Sequence, residues 1–162
     1  MIQEVTTSAE VDTVVSLAAT IWREYFPRLI TPAQIEYMLE RFLSQSAIRA
    51  QMTGGTRYYL LQTESRVVGF MAVAEQKQAL HISKLYVHED ARGQGLAREA
   101  LHFLEIHCHR QGLDRLWLRV NMQNELAISV YKRLGFHIHE TLVEDIGGGF
   151  VMDDYVMEKA IH

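Results

Sequence analysis

The residues best suited to chemistry lie in one short run, Arg92-Gly93-Gln94-Gly95-Leu96-Ala97. Its two glycines let a backbone turn tightly and approach a ligand closely. Apolar periodicity from Leu96 onward predicts a helix there. Its first N–H groups lack intrahelical acceptors, and its dipole presents a positive end. Arg92 adds a fixed charge. A turn with these parts between a strand and a helix suits a pyrophosphate. A P-loop is excluded because no lysine follows the turn, and a dinucleotide fingerprint because Arg98 stands where its third glycine belongs. Taken alone, the run reads equally well as an ordinary turn.

A second candidate follows downstream, Asn124-Glu125-Leu126-Ala127-Ile128-Ser129-Val130-Tyr131-Lys132-Arg133-Leu134-Gly135-Phe136. Asn124 and Tyr131 are two helical turns apart, so both side chains can face one ligand. Among groups able to take a proton, His81 has a suitable titration range. Ser83, Glu144 and Asp153 are further candidates. Cys108, the single cysteine, lies on the apolar side of a helix and reads as a buried structural residue. His107 and His109 point apart on that helix, and His137 and His139 share a strand face without obvious partners. No metal site is expected.

The elements that must position these residues follow from pattern. Ile2 to Val5 reads as a short strand. Val11, Val14, Val15, Ala18, Ile21, Trp22 and Tyr25 form the apolar side of a helix capped by Ser8 and ended by Pro27. Thr31, Pro32 and Gln34 open a second helix as N-cap, first position and capping-box partner, and a third, short one covers Ser46 to Met52. Strands are expected over Arg57–Gln62, Val67–Glu75 and Leu80–Val87, followed by the helix Leu96–Gln111 and the strand Leu116–Val120. A helix capped by Asn124 then runs to Leu134, and strands Phe136–Glu144 and Phe150–Glu158 close the chain across Gly147-Gly148-Gly149. This order implies one mixed α/β domain over residues 1–162.

Composition bounds the rest. The chain has 162 residues, 48% hydrophobic and 22% charged, with a formal net charge of −4. No basic patch with interleaved aromatics points to nucleic acid. No apolar run approaches the length of a membrane span, and no signal peptide is visible. A cytoplasmic protein is the expectation, and homodimer formation stays open.

The two motifs together resemble those of the GCN5-related N-acetyltransferases (GNAT). Arg92, Gly95 and Ala97 match the family's [Gln/Arg]-x-x-Gly-x-[Gly/Ala]. Asn124, Ala127, Tyr131, Gly135 and Phe136 match its second pattern, and Leu85 to Asp90 resembles the strand before the turn. The resemblance implies a largely antiparallel sheet of six to seven strands, with a splayed parallel pair in the middle and about four helices. It implies that acetyl-CoA is cosubstrate, with backbone groups at Leu85 and Val87 holding pantetheine and the acetyl carbonyl. The pyrophosphate would lie on Arg92, Gly93, Gln94, Gly95, Leu96 and Ala97, and Asn124 would touch the pantetheine arm or the cofactor end. Tyr131 would serve as acid or hydrogen-bond donor to the leaving thiolate, with His81 as candidate base. In the specificity regions, Tyr25, Tyr37 and Asp153 could hold a cationic acceptor such as a diamine or polyamine. A protein N-terminal or lysine amine is the alternative acceptor, and a non-catalytic acyl-CoA-binding module is the alternative function.

Overall fold

A computed structural model describes all 162 residues. In chain order the elements are β1 (Ile2–Glu4), α1 (Ser8–Tyr25), α2 (Pro32–Leu43), α3 (Gln45–Thr53), β2 (Arg57–Gln62), β3 (Val67–Gln76), β4 (Ala79–Val87), α4 (Leu96–Gln111), β5 (Arg115–Asn121), α5 (Glu125–Arg133), β6 (His137–Gly147) and β7 (Phe150–Ala160). The seven strands form a mixed sheet in the order β1-β2-β3-β4-β5-β7-β6. β4 and β5 are the parallel pair, in register from Ala79 opposite Arg115 to Ile82 opposite Leu118. That ladder stops there, although β4 runs on to Val87 and β5 to Asn121. β6, at the edge, pairs only with β7.

The expected elements are present, and their five helices are one more than the family resemblance implies. Thr7, rather than Ser8, caps α1: its hydroxyl accepts from the Glu10 N–H, and the Glu10 carboxylate accepts from the Thr7 N–H at 2.9 Å. Thr at N-cap with Glu three residues later is a complete capping box, whereas Ser8 has Val11 at that position. α2 begins with Thr31 accepting from the Gln34 N–H and Pro32 at the first position, as the sequence implies, but the expected capping box is not closed: the Gln34 side chain reaches Met38 Sδ at 3.9 Å.

The chain packs as two compact units. The first comprises Met1–Ala74 with Lys84–Ala100, the second Glu75–Ser83 with Leu101–His162. In the first, α1 buries Val11, Val14, Ala18, Ile21 and Trp22. An aromatic cluster joins this helix to the strands: Trp22 lies 5.6 Å from the Tyr86 ring, and Phe70 lies 5.5 Å from Tyr86 and 6.4 Å from Tyr58.

In the second unit the sheet sorts its residues by row. Ile82, Leu118 and Met157 lie in register across β4, β5 and β7 and are buried. Leu80, Leu116 and Lys159 share that side, where Lys159 pairs with Glu105 of α4. The intervening row, which points the opposite way, is His81, Trp117, Glu158 and His137, and all four are partly or fully exposed. Cys108 is fully buried on α4. Burial, with Glu105 and Glu75 nearby, pushes its thiol up to about 11.

One close approach in the first unit tests the packing. A Cβ on Gly69 of β3 would sit 2.5 Å from the Tyr86 carbonyl oxygen and 3.3 Å from the Val87 Cα. Both are backbone atoms, so neither can rotate away. Gly69→Ala is expected to destabilise the protein by about 1–3 kcal/mol, read as a lowered urea midpoint; an unchanged midpoint would contradict this close approach.

Candidate active site

The turn between β4 and α4 begins with a short 3₁₀ segment, Glu89–Ala91. Gly93 and Gly95 then adopt φ of 77° and 83°, a region that side chains with a Cβ disfavour. The first bond that closes α4 runs from the Glu99 N–H to the Gly95 carbonyl at 3.0 Å. No acceptor in the chain takes the backbone N–H groups from Gly93 to Arg98. Gly93, Gln94 and Gly95 are exposed. Six consecutive donors at the positive end of a sixteen-residue helix are an arrangement that suits an anion.

Arg92 plays a different part from the one its type implies. Its Nε donates to the Val87 carbonyl at 3.0 Å, and its guanidinium meets Glu24 of α1 at 2.8 Å and lies 5.0 Å above the Tyr25 ring. Arg28 stacks on Tyr25 as well, at 5.2 Å, and reaches Glu24 at 3.7 Å. The charge of Arg92 is therefore matched by Glu24. It ties the turn to the end of β4 and to α1, and the turn's positive character comes from the N–H run. Leu85 and Val87 are half-buried on β4 in the same unit.

The other predicted residues belong to the second unit. Asn124 is buried and caps α5, its Oδ1 accepting from the Ala127 N–H at 3.3 Å. Tyr131 is half-exposed on the same helix, with its ring 5.6 Å from Phe136. The His81 ring stacks on Trp117 with centroids 3.7 Å apart and planes 8° from parallel. Asp153 is exposed and its carboxylate has no ion pair, whereas Asp154 is buried against Arg119, which also holds Glu144. Burial raises the Asp154 carboxyl, and Arg119 opposes that shift. His137 and His139 do have a partner: both meet Glu158, at 3.6 and 3.5 Å, a cross-strand contact that only the β6–β7 register creates. Tyr37 is half-buried on α2 in the first unit.

Residues 15–136 match the family model described as acetyltransferase (GNAT) family. The chain belongs to that family. It is an acyltransferase of the N-acetyltransferase type. It is 27% identical to an N-acetyltransferase of Mycobacterium tuberculosis named as uncharacterized, over 94% of this chain and 98% of that one. Among solved structures it is similar to the PaiA N-acetyltransferase of Thermoplasma acidophilum in complex with coenzyme A, with a TM-score of 0.79, 19% identity and 99% of each chain covered. The ribosomal-protein-S18-alanine N-acetyltransferase of Escherichia coli is also similar, with a TM-score of 0.70, 20% identity, and 99% of this chain and 93% of that one covered. These two likenesses establish the GNAT fold. No helix of this acetyltransferase is long and apolar enough to cross a membrane.

Three residues of this GNAT chain escape a reading by motif: Glu24, Trp117 and Lys84. Glu24 is remote in sequence from the turn it supports, and Trp117 reads as one apolar residue of a strand. Lys84 is half-buried on β4. Its Nζ donates to Gln51 Oε1 at 3.2 Å, which also accepts from the Tyr58 hydroxyl at 2.6 Å, and it lies 5.5 Å over the Tyr58 ring. No carboxylate pairs with it, and burial lowers its ammonium to about 8 from the ordinary 10.5. Between those values the unfolded chain binds more protons than the folded one, so stability rises with pH there. Below pH 8 the penalty is fully present. Lys84→Met is therefore expected to raise Tm at pH 7, by about 2–4 °C per kcal/mol recovered, with the gain fading between pH 8 and 10.5. Calorimetry across that range checks it, and an equal gain at every pH would assign the effect to packing instead.

Proposed function

We propose that this GNAT enzyme moves the acetyl group of acetyl-CoA directly to a primary amine. One observation carries the cosubstrate assignment: the unpaired N–H run from Gly93 to Arg98 is suited to a pyrophosphate and sits in the family's cofactor motif. In this reading Arg92 and Ala97 bound the segment that binds the pyrophosphate, and backbone groups of Leu85 and Val87 hold the pantetheine arm. Asn124 touches that arm or the cofactor end. Acetyl-CoA supplies an activated acyl group as a thioester.

The chain's own residues manage protons. An alkylamine is mostly protonated near neutral pH and must lose a proton before it can attack. His81 takes that proton at a ring nitrogen. A backbone N–H steadies the carbonyl oxygen as negative charge develops there. The Tyr131 hydroxyl donates to the leaving sulfur. A phenol has a pKa of ~10 and a thiol ~8.5, so Tyr131 acts chiefly through the hydrogen bond, and full transfer is assisted by the site.

For the acceptor we propose a small diamine or polyamine. Glu24, Glu36, Glu144 and Asp154 are each matched by an arginine. Asp153 is exposed without an ion pair, which leaves its carboxylate for a cation, and Tyr25 and Tyr37 offer aromatic faces in the specificity regions. A protein amine is the competing acceptor.

Release of free thiol from acetyl-CoA, scored against polyamines, amino acids and peptides, separates these acceptors. With the best amine, Tyr131→Phe is expected to lower kcat by about 10²-fold and to leave acetyl-CoA binding near wild type. Binding without thiol release from any amine would favour the acyl-CoA-binding module. Gly95→Glu places a carboxylate at a φ of 83° inside the cradle and is expected to abolish acetyl-CoA binding by calorimetry. Intact binding would refute the cradle.

A further inference from the structure

His81 and Trp117 lie directly opposite each other in the parallel β4–β5 ladder. Their rings are almost coplanar in orientation, 8° apart, at a centroid distance of 3.7 Å. Face-to-face contact this close is the unfavoured arrangement for two neutral aromatic rings, whose negative faces repel. A cation in one ring adds attraction, because indole is the strongest cation–π acceptor among side chains. The stack therefore discriminates between the two protonation states of His81.

The charged groups along that face of β5 and β7 are engaged with one another. Along the same face, β5 carries Arg115 and Arg119 and β7 carries Glu158. Arg119 is engaged by Asp154 and Glu144. Glu158 is shared among Arg115, His137 and His139, at 3.9, 3.6 and 3.5 Å. Trp117 stands in register between Glu158 and His81.

We propose that Trp117 is a positioning residue for His81, holding the imidazole in one plane and stabilising the imidazolium that forms when His81 takes a proton from the acceptor amine. This deepens the proposed function and rests on His81 being the base. The amine N–H bond breaks, the proton moves to a His81 ring nitrogen, and the imidazolium returns it to water before the next turnover. An interaction that strengthens as the charge forms lowers the barrier rather than only the ground state.

The test has an optical arm and a kinetic arm. The chain has two tryptophans, so Trp22→Phe leaves Trp117 as the sole indole. An imidazolium stacked on indole quenches its emission by electron transfer, so emission is expected to fall on acidification as His81 titrates, and to lose that step in the Trp22→Phe, His81→Gln double variant. In the kinetic arm, Trp117→Leu is expected to lower kcat by about 3–30-fold and to move the acid limb of the kcat profile to lower pH, with KM for acetyl-CoA little changed. Trp117→Phe should recover much of both effects; it also covers the case in which the leucine variant folds poorly. Emission that does not respond to His81 titration, or a phenylalanine variant no better than a well-folded leucine one, overturns the proposal. If the optical step is present but His81→Gln keeps wild-type kcat, His81 is not the base, and the catalytic role of Trp117 falls with it while the cradle assignment stands.

Discussion

Backbone amides that end without an acceptor are the constraint around which this protein is arranged. A helix cannot satisfy its first N–H groups, and here the problem is enlarged: Gly93 and Gly95 hold left-handed conformations that carry the unpaired stretch three residues upstream of α4. Such donors are tolerable only where water or an anion reaches them, which explains why the turn is exposed. Everything near it limits movement. The Arg92 side chain binds the last carbonyl of β4 and a carboxylate on α1, and both Arg92 and Arg28 lie over the Tyr25 ring. A cradle of backbone groups has no rotamers to lose on binding, so its precision depends on what clamps the loop.

β4 is the second organising element. Its first residues ladder with β5 and its later residues belong to the first compact unit. Alternation along it distributes distinct tasks. His81 joins the exposed row of the second unit, Ile82 the buried one, and Lys84 and Tyr86 the aromatic neighbourhood of α1 and α3. A strand that serves both units has no uniformly polar or apolar side, which is why its sequence shows no clean alternation.

Much of this was legible in the sequence, for reasons that separate local from non-local information. The helix starts at Thr31 and Asn124 and the stop at Gly112 are encoded within a few residues, and so is the glycine turn. The boundaries of β2 and α4 follow from patterns equally short. What could not be read depends on register. Glu158 as the partner of His137 and His139, Trp117 against His81, and Glu24 under Arg92 all join residues distant in the chain. Even the role of Arg92 changed, since its type announces a charge but not which carboxylate will neutralise it. The GNAT family was legible because a motif compresses non-local geometry into a local signature; no such signature exists for the acceptor.

The buried cysteine has a practical consequence for anyone studying this enzyme. Turnover of acetyl-CoA is most simply followed with a chromogenic disulfide that reacts with thiolates. Cys108 is the chain's single thiol, fully enclosed, and its ionisation is pushed up to about 11. At neutral pH the folded enzyme is thus silent toward such a reagent, so colour reports product alone. Conversely, colour from enzyme without substrate would report opening of the α4 core, which makes the same reagent a probe of unfolding.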